Sequence, residues 1–262
     1  MRLKGYKMIT LKSQRELDKM RRAGEVVAKV HQRLSELIQP GITTIELDRI
    51  AEEIIRSCGA IPSFKGFPCA YGGIDFPGSI CTSINDQVIH GIPGNIVLKE
   101  GDIVSVDAGA ILDGYHGDAA RTFPVGKVSE EARALIYHTE EAFRRGMEKA
   151  VEGNRVVDIS IAIQQYAESQ GYSVVRDFVG HGIGTQMHEE PQIPNYKTQE
   201  RGPRLSNGMT LAIEPMINMG TWQVKVLKDN WTVVTVDGKL SAHYENTIAV
   251  TPNGPEILTR LY

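Results

Sequence analysis

"LKEGDIVSVD", residues 98–107, and "LSNGMTLAIE", residues 205–214, follow one plan. Each turns at a glycine, Gly101 or Gly208, and six residues later an alternating apolar run delivers a carboxylate, Asp107 or Glu214. The match continues in both directions. Upstream, Gly41 precedes "IEL" at 45–47 and stands eighteen residues before Gly59; Gly153 precedes "VDI" at 157–159 and stands eighteen before Gly171. Downstream, each run is followed by a second carboxylate ahead of a strand-like stretch, Asp118 in "GDAARTFPV" and Glu245 in "YENTIAV". Self-similarity about 110 residues apart predicts two related α+β halves that face each other. Glycines alone agree by chance; matched acids do so less readily.

Periodicity fills in the halves. Helical spacing runs through "SQRELDKMRRAGEVVAKVHQRLSELI", 13–38, with Ser13 as its cap, and through Thr44 to Cys58, ended by Gly59. The second half predicts a helix capped by Ser129 and another from near Val157 to Gly171. Strand-like runs are 79–84, 102–112 and 120–125, then 173–179, 209–217, 231–236 and 246–251. Residues 62–80, rich in glycine and proline, read as loop.

The bulk properties exclude several classes. A formal net charge of −3 over 262 residues argues against a surface that coats nucleic acid. No apolar run approaches a membrane span. "MRLKGYKMITLKS" is basic but lacks an apolar core, so it is not a secretory signal. Met8 can equally be read as a start, which makes 1–7 an N-terminal extension and 8–262 a single catalytic domain. Cys58, Cys69 and Cys81 are odd in number and follow no metal spacing, as expected of reduced thiols in a cytoplasmic protein.

Asp107 and Glu214 sit among strand-forming apolar residues, where a carboxylate needs a cation, a metal or a proton. A strand acid can also simply face water. Four acids in matching positions of two facing halves favour convergence, and convergent acids require positive charge. Oxygen ligands with one imidazole suit Mn, Fe, Co or Zn, and several carboxylates accommodate two ions. Among the histidines, His31 and His138 read as surface residues on helices; His116, two residues before Asp118, and His243, near Glu245, read as loop residues in preference to supports behind a metal ligand. His90, His181 and His188 stand out, the first two beside glycine and the third three residues before Pro191, in expected loops, where sites are built. In "VGHGIGTQMHEEP", 179–191, glycine and proline oppose the helix that an H-E-x-x-H zinc site needs, so the two histidines must be placed separately. The glycines of this stretch are expected to let the backbone pass close to a metal centre.

"VDAGAILDGYHGDAARTF", "GHGIGTQMHEEPQIPN", "LAIEPMI" and "YENTIAVT" together resemble the signature blocks of the type I methionine aminopeptidases of bacteria, from about Met8 onward. The resemblance implies the pita-bread fold: two pseudo-symmetric halves with a central curved antiparallel sheet covered by helices. It implies two divalent metal ions (Co, Mn, Fe or Zn), with Asp107 on one, Asp118 and Glu245 bridging, and His181 and Glu214 completing the other. It implies removal of the N-terminal methionine, ahead of a small second residue, by metal-activated water. Glu214 would accept the proton, His188 would assist the developing oxyanion and His90 would bond near the scissile amide. A free α-amine would sit on the Asp107 side, which explains exopeptidase action.

For the methionine pocket the resemblance points to Tyr71, Phe76, Cys81, Met187 and Trp231. Here the chain departs from the family: the compact "GYxGFPxSxC" becomes "KGFPCAYGGIDFPGSIC", 65–81, so Phe67 competes with Tyr71. Asn85 and Ser241 resemble positions that hold a structural monovalent cation. The implied partners are nascent polypeptide N-termini at the ribosome, with no nucleic acid, no membrane and a monomeric enzyme. Rival readings are a proline-specific relative, which carries a further N-terminal domain, and an inactive binding module, which loses ligands.

Overall fold

Helix pairs and strands alternate in this computed structural model, which describes residues 8–70 and 72–261. In the first half come α1 (Gln14–Leu37) and α2 (Thr44–Ser57), then β1 (Ile61–Pro62), β2 (Ile80–Ile84), β3 (Gln87–Ile89), β4 (Ile103–Leu112) and β5 (Tyr115–Pro124). The second half begins with α3 (Glu130–Met147) and α4 (Val156–Ser169), followed by β6 (Ser173–Val174), β7 (Gly180–Gly182), β8 (Glu189–Ile193) and β9 (Thr210–Ile213). It ends with β10 (Met216–Asn218), β11 (Val224–Val226), β12 (Val233–Thr235), β13 (Ser241–His243), β14 (Asn246–Thr251) and β15 (Gly254–Ile257). The expected extension at 1–7 lies outside the described residues.

The helices form where their ends are satisfied. Ser13 and Glu16 bond reciprocally at the start of α1, Thr43 and Glu46 at α2, and Ser129 Oγ accepts from Ala132 N at α3. The buried stripe of α1 runs Met20, Ala23, Gly24, Val27, Val30, His31, Leu34, a three-and-four spacing that sets one face against the sheet. His31 is therefore not a surface residue. It is buried, with Nε2 bonded to the Ala119 carbonyl at 2.8 Å, and burial lowers its pKa to about 3. His138 is half-buried and bonded to Tyr166 Oη at 2.9 Å.

All strand pairs are antiparallel, and the repeat is visible in them. β4 lies between β2 and β5; β9 lies between β7 and β14. Gly101 and Gly208 both have positive φ, 92° and 89°, so the matched turns use the same left-handed backbone, which favours glycine. The blocks meet at β5 and β14. Glu245 N donates to Ala120 O at 2.9 Å and Ala120 N to Glu245 O at 3.3 Å. Thr247 Oγ1 donates to Asp118 O and accepts from Asp118 N. Each block has its own core: Val27, Leu47, Ile55, Val104 and Val106 under α1 and α2, and Phe143, Ile159, Ile163, Leu211 and Ile248 under α3 and α4.

Two expected strands differ. Only Ser173–Val174 of 173–179 pairs, and the run 209–217 breaks into β9 and β10 at Glu214-Pro215, because proline brings no N–H to a ladder.

Candidate metal centre

The seam between β5 and β14 fixes the acids. Asp118 lies in β5 opposite Gly109 of β4, and Asp107, in β4, faces Ala120. Glu214 and Glu245 are the residues just beyond the paired Ile213 and Asn246. The four carboxylates and His181 line one cavity of about 450 Å³. Ligand atoms of Asp118, His181 and Glu245 lie within 4.8 Å of one another, and all three residues are buried. His181 Nε2 is 3.5 Å from Glu214 Oε1 and 3.9 Å from Asp118 Oδ2.

Burial and mutual repulsion push the carboxylates toward their neutral forms. Asp107 rises from 3.8 to about 7 through burial, against an interaction with Asp118 that lowers it; Asp118, Glu214 and Glu245 rise well above the usual range through burial and the charge of the neighbouring acids. Asp107 Oδ1, Asp118 Oδ1 and Glu245 Oε1 are buried without a hydrogen-bond partner. The nearby cation Arg121 spends its guanidinium on the Ala120 and Glu245 carbonyls and on Asn246 Oδ1. A cluster with this much unanswered negative potential fits a multivalent cation.

His181 has the orientation and protonation that a metal ligand would need. Its Nδ1 meets the Gly182 carbonyl at 2.9 Å, so Nδ1 carries the hydrogen and Nε2 turns a lone pair toward the acids. Burial lowers its pKa to about 3, which keeps the ring neutral. His181 lies in strand β7, not in a loop. The glycines beside it serve strand packing rather than approach to a metal: a Cβ on Gly180 would strike the Ala212 carbonyl and one on Gly182 the Glu190 carbonyl.

His188 is separate. It sits at the open side of the cavity, its ring 4.4 Å from that of His181 and 5.4 Å from that of Phe67. Its loop is braced by a buried ion pair, Lys12 Nζ to Glu189 Oε2 at 2.6 Å, while Glu189 Oε1 accepts from Gln186 N. His90 follows β3 with a positive φ of 58°, across the cavity against Phe178 and Trp231. Burial lowers its pKa to about 4.

His116 and His243 are not loop residues. His116 is buried in β5 and bonds Ser63 Oγ through Nδ1 at 3.0 Å. His243 is buried in β13, with Nε2 3.9 Å from Glu214 Oε2 and no hydrogen-bond partner. Sequence reasoning missed its place beside the acids, although it stands two residues before Glu245.

Phe76, Cys81, Met187 and Trp231 line the cavity, as does Phe67, the competitor of Tyr71, together with Phe64 and Phe178. Tyr71 lies outside the described residues. Asn85 Nδ2 donates to Asp102 Oδ1, its Oδ1 accepts from Ile103 N, and its backbone carbonyl accepts from Ser241 N.

The sequence model of metallopeptidase family M24 matches residues 18–252. The methionine aminopeptidase of Clostridium perfringens is 61% identical over 252 residues, 96% of this chain and 99% of that protein. Methionine aminopeptidase 1 of Bacillus subtilis is 56% identical over 254 residues, 97% of this chain and 100% of that protein. The crystal structure of methionine aminopeptidase from Thermotoga maritima aligns with a TM-score of 0.92 at 45% identity, covering 97% of this chain and 100% of that one.

Proposed function

Because the chain belongs to the methionine aminopeptidases of metallopeptidase family M24, we propose that it removes the N-terminal methionine from peptides and nascent proteins, ahead of a small second residue. The observation that carries this reading is one cavity with two ends: a cluster of acids around His181, and an aromatic end suited to an apolar side chain. At about 450 Å³ it lies toward the lower end of small-ligand sites.

Asp107, Asp118, His181, Glu214 and Glu245 would hold the divalent ions, two of them, drawn from Co, Mn, Fe or Zn. Bound there, they supply Lewis acidity and acidify water into a nucleophile. Glu214, a carboxylate when the ions are held, would accept the proton of the attacking water. His188 donates an N–H to the carbonyl oxygen as negative charge grows on it. His90, neutral at pH 7 because burial holds it near 4, bonds the leaving nitrogen as a fixed partner rather than a proton store. The Asp107 side of the cluster receives the free α-amine, so a blocked amino terminus loses its seat. The catalytic unit is residues 8–262, working as a monomer in the cytoplasm on chains leaving the ribosome. No helix among the described residues is long and apolar enough to cross a membrane.

The test is hydrolysis of Met-Ala, Met-Leu and Leu-Ala peptides with and without metal. The account expects rapid cleavage of Met-Ala only, lost on chelation and restored by a divalent ion. Full activity in protein verified to be metal-depleted overturns it.

A further inference from the structure

The long loop at 64–80 has two parts. Its stem is a small hairpin: Phe76 N donates to Phe67 O at 2.9 Å and Gly66 N to Phe76 O at 2.8 Å, which turns both rings toward the cavity wall. Its tip reaches across to a turn that lies some 160 residues further along the chain, in the other half. Asn230 Nδ2 donates to the Gly72 carbonyl at 2.9 Å, Trp231 Nε1 to the Ile74 carbonyl at 3.0 Å, and Cys69 Sγ approaches the Asn230 carbonyl at 3.8 Å. The turn is itself rigid, since Asp229 Oδ1 accepts from both Trp231 N and Thr232 N at 2.9 Å. Trp231 is thus held at both ends: its indole nitrogen on the loop tip, its ring on Phe76 at 5.1 Å and His90 at 6.3 Å. The compact family form "GYxGFPxSxC" is too short to supply the residues of this tip.

We propose that this clasp makes the long loop a specificity element: by fixing Trp231 as an unyielding wall, it restricts the pocket to an unbranched methionine-sized side chain. The inference rests on the reading of the cavity as a methionine pocket. An apolar pocket discriminates between similar side chains only as far as its walls refuse to move, since the whole difference is a methylene or a branch. A half-buried indole tethered by its N–H to a backbone carbonyl of a surface loop keeps its ring in place while its polar end stays outside.

Asn230 is the place to test it, because it touches the loop and not the cavity. Its φ is 62°, which aspartate tolerates and glycine adopts freely. Asn230→Asp replaces the donor to Gly72 with a repelling carboxylate; Asn230→Gly removes it without backbone strain. Both are made in a Trp222→Phe background, so that Trp231 is the sole tryptophan. In either variant, acrylamide quenching of Trp231 fluorescence should increase. The ratio of kcat/KM for Met-Ala over Leu-Ala should fall by roughly 3- to 10-fold, the worth of one hydrogen bond. The change should lie in KM, with metal per chain and kcat for Met-Ala unaltered. An unchanged ratio in both variants overturns the proposal, as does unchanged quenching, because the wall then does not depend on the clasp. A Trp222→Phe parent that binds metal yet fails to cleave Met-Ala overturns the functional reading instead, which separates the two failures.

Discussion

Opposite Asp107, on the neighbouring strand β2, lies Cys81. In the second half the strand in the corresponding place, β7, carries His181. The halves therefore share backbone and acids but not nitrogen: Asp107 and Asp118 answer to Glu214 and Glu245, while His181 and His188 come from the second half alone. Even the shared tripeptide "HGI" is used differently. His90 takes a left-handed backbone after β3, and His181 an extended one within β7. Repetition of the backbone builds a cavity with matched acids, and departures from it supply His181, His188, His90 and the aromatic wall.

The largest effect should come from breaking the shared part. Asp118→Ala removes a carboxylate at the seam where three ligand atoms converge, and should abolish Met-Ala cleavage and bound metal while circular dichroism shows the fold intact. Retained metal stoichiometry would remove Asp118 from the centre. A smaller effect is expected one shell out, in an unmatched residue. His243→Ala should weaken metal affinity by about 10- to 100-fold, measured by competition with a chelating dye, because His243 Nε2 faces Glu214 and has no hydrogen-bond partner among the described residues. Unaltered affinity would make it a packing residue only.

The protonation of the acids gives a third handle. Asp107 titrates near 7 in the metal-free fold, whereas His181 is already neutral far below that. Metal uptake at pH 6 should therefore release protons from carboxylates, and affinity should rise with pH from 6 through about 7. Calorimetry in two buffers of different ionisation enthalpy reads the release directly; no buffer dependence would contradict the raised carboxylates. In the metal-free fold the same shift contributes stability below 3.8 that is lost as pH rises through about 7. The buried histidines act in the opposite sense, since they charge on unfolding below 6.5 and so favour the fold as pH rises to that value. Proton release on metal binding isolates the acids from that opposing trend. The smallest effects belong to helix caps, one in each half: Thr43→Ala at α2 and Ser129→Ala at α3 should each lower stability by about 1 kcal/mol in urea unfolding, without changing metal content. A cap whose loss costs much more would reveal a tertiary role beyond capping.

The repeat, the four helices and the acids were legible because each leaves a local mark: a cap, a period, a turn glycine, a carboxylate in an apolar run. β7 left none. It is three residues long with glycine at both ends, too short for alternation and poor in strand formers. His243 and His116 were hidden for a related reason, since their burial comes from neighbours far away in sequence. His31 was legible and misread: it falls on the buried stripe of α1, four residues after Val27 and three before Leu34. The aromatic wall was legible only in part, because Phe67 and Phe76 are brought together by a hairpin that no periodicity announces.

The central claim is that His181 is the one nitrogen ligand and His188 an unligated group at the open side of the same cavity. Metal titration by calorimetry on His181→Ala and His188→Ala, with Met-Ala turnover measured on the same samples, tests it most directly. The account predicts that His188→Ala binds metal like the parent and loses turnover by about 100- to 1000-fold, while His181→Ala loses metal and turnover together. Lost metal in His188→Ala with retained metal in His181→Ala would contradict it.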